Sequence, residues 1–288
     1  MKLFLRQYRC ELIKLFAKKR TWMGFAAFLG LELLLLWLFQ LPKIANVFRN
    51  DLERNAGFTG MALIFDDYFR GLTLASAIIV WTMVLLGALF LSLVSGDIVS
   101  KEAEDGTLRM MLTRPVGRLR VLGIKYLTSV TYTFVLVFFI GLSAMFIGWC
   151  WRGLGNMFVF VPAEQLFAVF TPAEGFWRML MLLLFYSISL CTVSSLAFLF
   201  SCGGDTKPAA ATVVTLVIML VDAILYQVPQ FEGLRPYFLN YRIATCLNVF
   251  RDPIPWSKME IDYLYLFGMN ATFVILGCGL FCRRDFKS

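Results

Sequence analysis

About six stretches of this sequence are apolar over lengths that suit a bilayer better than a soluble core. They run roughly Thr21–Leu41, Leu72–Ser95, Tyr126–Trp149, Phe176–Phe200, Ala209–Val228 and Tyr263–Phe281. A helix needs about 20 apolar residues to cross the hydrocarbon layer. With no water there, each backbone N–H and C=O must find its partner inside the segment, so such stretches become helices. Residues are 59% hydrophobic and 16% charged, against about half and about a quarter in soluble domains. The fold expected is an all-α integral membrane protein of about six transmembrane helices, in one domain over residues 1–288.

The charges between the blocks set an expected orientation. With the N-terminus in the cytoplasm, segments 1–20, 96–125, 201–208 and 282–288 lie inside and hold 17 of the 27 Lys and Arg residues. The opposite segments, 42–71, 151–175 and 229–262, hold 9. Positive charge collects on the cytoplasmic side, so both termini are expected there. The net charge of +8 is thereby explained by topology, and no nucleic-acid partner is expected. Trp22, Trp37, Trp81, Trp149, Trp151, Trp177 and Trp256 fall mostly near block boundaries, as in an interfacial aromatic belt. The first block has full membrane length and no small-residue cleavage site, unlike a signal peptide.

Residues 1–20 read as an amphipathic helix lying in the interface. Phe4, Leu5, Tyr8, Leu12, Leu15 and Phe16 share one arc, with Lys2, Arg6, Arg9, Lys14 and Lys18 mostly elsewhere. Arg152–Pro172 is apolar but broken by Gly153, Gly155 and Pro162, and suits a short interfacial or re-entrant element.

Several chemistries are excluded by residues the chain lacks. It has no histidine, which removes Ser-His hydrolases, HExxH proteases and His-ligated haem. The seven cysteines form no CxxC pair and read as free apolar residues. Cys150 and Cys246 are the pair that topology lets meet. Ser95-Gly96-Asp97 lacks the first glycine of an intramembrane GxGD site, and Gly203-Gly204-Asp205-Thr206-Lys207 lacks the spacing of a nucleotide-binding P-loop.

Two acids fall inside apolar blocks, where a charge costs about 2.5–3.5 kcal/mol to insert. Glu32 lies near the middle of the first block and Asp222 toward the far end of the fifth. Each reads either as a lining of a pathway or dimer interface, or as a protonated acid held by a neighbouring Ser or Thr. Asp222 has a third reading, a side chain that reaches out of the membrane, and for it a structural role is preferred.

The segment Gly96–Lys125 reads GDIVSKEAEDGTLRMMLTRPVGRLRVLGIK. Acids precede Leu108, Met111 and Leu112 at helical spacing, which predicts a helix whose first turn carries Glu102, Glu104 and Asp105. Pro115 and Gly117 end it.

Here the sequence resembles the ABC-2 type permease family, whose members carry a stretch like Glu-x-x-x-Gly-Thr-Leu-Glu-x-Leu-Leu-x-x-Pro-Val-Ser-Arg before a lysine at the next span. The matching residues are Glu102, Gly106, Thr107, Leu108, Met111, Leu112, Pro115, Val116, Arg118 and Lys125. Arg109 stands for the usual acid and Gly117 for the usual small hydroxyl residue. The resemblance implies a coupling helix between spans two and three that docks on a separate ATP-binding subunit. Its expected residues are Glu102, Glu104, Gly106, Thr107, Leu108, Arg109, Leu112, Pro115, Arg118 and Lys125. It also implies two such ATPases carrying ATP and Mg, with no cofactor in this chain. A second permease copy, contact with membrane lipid, export and a bacterial cytoplasmic membrane complete the expectation. The alternatives are an intramembrane enzyme or a non-transporting anchor for an ATPase.

Overall fold

The computed structural model describes residues 2–40, 70–82, 87–108, 117–153, 155–161, 166–203 and 208–283. The helices are α1 (Lys2–Phe16), α2 (Lys19–Gln40), α3 (Gly71–Thr82), α4 (Ala88–Glu104), α5 (Arg118–Arg152), α6 (Pro172–Cys202), α7 (Pro208–Gln227), α8 (Leu239–Ala244) and α9 (Trp256–Arg283). Among the described residues, five helices are long and apolar enough to cross a membrane: Lys19–Leu38, Arg118–Arg152, Pro172–Cys202, Ala209–Tyr226 and Trp256–Arg283. The chain is a multi-pass helical membrane protein. The expected second block, Leu72–Ser95, takes in α3 and the first part of α4, with residues 83–86 outside the described ones. α3 packs on α5, whereas α4 packs on α6 and α7.

The sixth helix, α6, is the centre of the bundle. Its most apolar window is 78% buried, against 17% for those of α7 and α9. It touches α4, α5, α7 and α9. Lipid and leucine are equally apolar, so helices in a membrane gain by close approach and by hydrogen bonds across the contact. α6 uses both. Its Ser194 and Ser195 meet Thr133 and Tyr126 of α5 at 2.7 and 3.0 Å. The Ser201 hydroxyl donates to the Gly96 carbonyl at 2.6 Å, and Asn270 of α9 donates to Thr192 at 3.2 Å. Glycine permits a close crossing between α3 and α5: a Cβ on Gly148 would stand 2.5 Å from the Gly71 carbonyl oxygen.

At one end of the bundle the chain builds a cap. Residues expected to form an irregular interfacial element are instead an antiparallel hairpin, β1 (Met157–Val161) with β2 (Leu166–Phe170), in register from Met157–Phe170 to Val161–Leu166. Each strand is an aromatic and β-branched run, which favours a pleated strand. Arg178 binds the cap to α6. It is buried, donates to the carbonyls of Val249 and Arg251 at 2.9 and 2.8 Å, and lies 4.2 Å from the Phe170 ring centre. The Asp222 carboxylate accepts from the backbone N–H groups of Leu239 and Asn240 at 3.0 and 2.7 Å. Those are the first donors of α8, so Asp222 caps that helix from α7.

All seven cysteines are free. The described tryptophan side chains at the block boundaries, Trp22, Trp37, Trp149, Trp151, Trp177 and Trp256, are exposed, as an aromatic belt requires.

Candidate functional site

The other end of the bundle gathers α1, the end of α4 and the start of α5. It holds part of the segment singled out in the sequence. Gly96–Glu104 is the last part of α4, not a loop, and residues 96–100 are buried. The acids expected in the first turn of a helix therefore sit in the last turn of another. Asp105 caps it, and Gly106 follows with φ +68, a left-handed conformation that a side chain disfavours. The backbone is helical again at Thr107 and Leu108. Arg109, Met111, Leu112, Pro115 and Val116 lie outside the described residues. α5 starts at Arg118, so Arg118 and Lys125 belong to its first turns.

Glu102 and Lys125 meet. Both are buried, and the Lys125 ammonium lies 2.6 Å from Glu102 Oε2. Lys125 also donates to the Ile98 carbonyl at 3.2 Å and reaches Glu11 of α1 at 3.4 Å. Lys14 of α1 binds the other oxygen, Glu102 Oε1, at 2.7 Å. One carboxylate thus joins three helices. Burial raises the Glu102 pKa, but the ammonium groups of Lys125 and Lys14 outweigh it and hold it below the ordinary value of 4.5. Burial lowers the pKa of Lys14, and the Glu102 carboxylate more than reverses this. Arg20 forms a further ion pair with Asp97 on the buried part of α4.

The apolar arc of α1 faces protein. Leu15 is buried, and Phe4, Tyr8, Leu12 and Phe16 are half-buried, while Leu5 is exposed. Tyr8 hydrogen-bonds Thr131 at 2.5 Å, and the Phe16 ring packs on Tyr132. Contacts two turns apart on α1 thus fall on adjacent residues of α5, so α1 crosses α5 rather than running along it.

The remaining expected residues are placed as follows. Glu104 is exposed, and Leu108 is buried. Thr107 donates to the Glu102 carbonyl at 3.3 Å. Arg118 donates to the Cys282 carbonyl at 3.2 Å, tying α5 to the end of α9. Glu32 lies elsewhere, buried between α2 and α5, with both oxygens within 3.0 Å of the Ser143 hydroxyl. That hydroxyl also lies 3.0 Å from the Ile140 carbonyl. It has a single proton, so it donates to one of these three acceptors at a time. Glu32 and Asp222 have separate partners and form no common site. Sequence reasoning missed Glu11, Lys14, Arg20, Asp97 and Arg178. For Arg178 a signal existed, since Glu174 lies four residues before it and pairs with it at 2.9 Å.

The sequence model for ABC-2 family transporter proteins matches residues 10–240. The chain belongs to the ABC-2 transporter family. Similar to this ABC-2 protein is the uncharacterized protein YhcI of Bacillus subtilis (strain 168), 22% identical over 210 residues. The match spans 70% of this chain and 65% of that protein, so just under two thirds of the relative is covered. The family match takes in α1 from Cys10 onward and all of Glu102–Lys125, and it ends inside α8.

Proposed function

We propose that this chain is the permease subunit of an ABC exporter, driven through the Gly106–Thr107 turn by separate ATP-binding subunits. The observation that carries this reading is the Glu102 carboxylate shared by Lys14 and Lys125, next to that turn in a family member. A push on the turn reaches α4 directly, reaches α5 through the buried Lys125–Glu102 pair, and reaches α1 through the part-exposed Lys14–Glu102 pair. In this reading α3 and α4 together make the second of about six spans, and both termini are cytoplasmic. The assembly is two copies of this chain in a bacterial cytoplasmic membrane with two ATPases, which carry ATP and Mg. Residues 1–288 act as one domain.

The test is co-purification with the ATP-binding subunit, followed by ATP hydrolysis in lipid. Glu104→Lys changes an exposed acid beside the turn and leaves the ion pairs intact. Gly106→Pro removes the left-handed turn, because proline cannot adopt positive φ. Both are expected to lose the complex or its stimulated hydrolysis while the permease still inserts. Full stimulation by Glu104→Lys and Gly106→Pro together moves the docking surface elsewhere.

A further inference from the structure

The knot of ion pairs leaves positive charge over. Lys14 and Lys125 share Glu102 and Glu11. Lys18, in the break between α1 and α2, and Lys101, the residue before Glu102 on α4, have no carboxylate partner among the described residues. Both are half-buried. Lys18 follows Lys14 by four residues and Lys101 adjoins Glu102, so the Lys14–Glu102 pair at 2.7 Å brings both to the same end of the bundle. Burial, and then repulsion from Lys125, Lys14 and Lys101, depress the Lys18 pKa despite the pull of Glu102. Glu104 and Asp105, one turn past Lys101, are exposed and make no ion pair with it. Four lysines thus face two paired carboxylates. An arriving anion relieves the repulsion without displacing an existing partner.

The surroundings identify the anion. A membrane-length apolar helix begins at Lys19. One turn beyond Lys18 and Lys19 stand Trp22 and Met23, 57% and 62% exposed. The Trp22 indole N–H donates to the Phe16 carbonyl at 2.8 Å, which fixes the ring beside the elbow. Cations followed within a turn by large exposed apolar side chains match a headgroup with its chains below. A site for a soluble acidic partner has no use for the second feature. We infer that the elbow between α1 and α2 binds the phosphate of an anionic phospholipid through Lys18 and Lys101. The inference rests on Lys19–Leu38 entering a membrane and is independent of any ATPase.

The experiment uses the full chain alone, in phosphatidylcholine nanodiscs containing phosphatidylglycerol, with native mass spectrometry of the lipid retained on release. Lys18→Gln and Lys101→Gln are each expected to weaken phosphatidylglycerol retention about fivefold, the factor for ~1 kcal/mol per basic residue at an anionic surface. Lys258→Gln, at the opposite end of the bundle, is expected to retain it fully. Lys18→Arg keeps the charge and is expected to hold the lipid, so it decides the matter if Lys18→Gln does not fold. Equal retention by the doubly substituted and native chains overturns the site. Displacement by free inorganic phosphate overturns the lipid assignment, and unchanged lipid with lost binding of an acidic protein reassigns the lysines to protein docking.

Discussion

Each oxygen of Glu102 faces a different lysine, and the lysines come from different helices. Removing one member of a buried pair costs about 3–5 kcal/mol, because the survivor stays buried without its partner. The survivors here are unequal. Without Lys125, Glu102 keeps Lys14, whose side chain is 44% exposed. Without Glu102, Lys125 keeps only Glu11 at 3.4 Å and a carbonyl. Glu102→Gln is therefore expected to cost more than Lys125→Met, toward the upper end of that range. Thermal unfolding of the purified chain reads the difference, and the reverse order removes the shared carboxylate as the organising group. The pH dependence follows in sign. The Glu102 pKa is lowered, so its contribution is complete above 4.5 and lost as pH falls through the lowered value. The Lys14 pKa is raised, so its contribution is complete below 10.5 and lost as pH rises through the raised value. Proteolysis of α1 is expected to stay slow between these limits and to accelerate in acid below the ordinary carboxylate range.

At the scale of elements, small residues set how near helices come. A side chain at position 148 meets the backbone of Gly71, which cannot yield as a side chain can. Gly148→Val is expected to destabilise the α3–α5 crossing by about 1–3 kcal/mol. Gly123→Ala, in α5 with nothing within 4 Å, is expected to stabilise by up to about 1 kcal/mol through helix propensity. Melting temperatures that move together in both variants contradict this account. Elements also show what was readable in the sequence. Apolar length alone located the five long helices, because a bilayer imposes one physical requirement on each. It misplaced their charged ends: the third block was read from Tyr126, yet α5 begins at Arg118. The acids of Glu102–Asp105 suggested a helix start, but Gly106 makes them an end. The hairpin carried a usable signal, two five-residue runs MFVFV and LFAVF around Pro162, where a short interfacial or re-entrant element was expected. The partners of Glu102 carried none. Residues 11, 14, 102 and 125 come together only through the crossing of α1 over α5.

Taken whole, the molecule has two ends of different character, one basic and held by ion pairs, the other a cap of strands and short helices. Free, exposed cysteines mark both: Cys10 and Cys282 at the first, Cys150 at the second. In intact cells, a membrane-impermeant maleimide is expected to label Cys150 and to spare Cys10 and Cys282 until the membrane is opened. Labelling of Cys10 from outside reverses the orientation inferred from the positive charges.

The length of α5 gives this division a mechanical meaning. Its 35 residues make a rod about 50 Å long, against a hydrocarbon layer of about 30 Å. One end holds Lys125 and its ion pairs, and the other runs into the strand hairpin. A rod of that length turning by about 5° about its basic end sweeps its far end through about 4–5 Å. That is close to the width of a lipid chain, so a small rotation at one end of α5 is a chain-wide shift at the other.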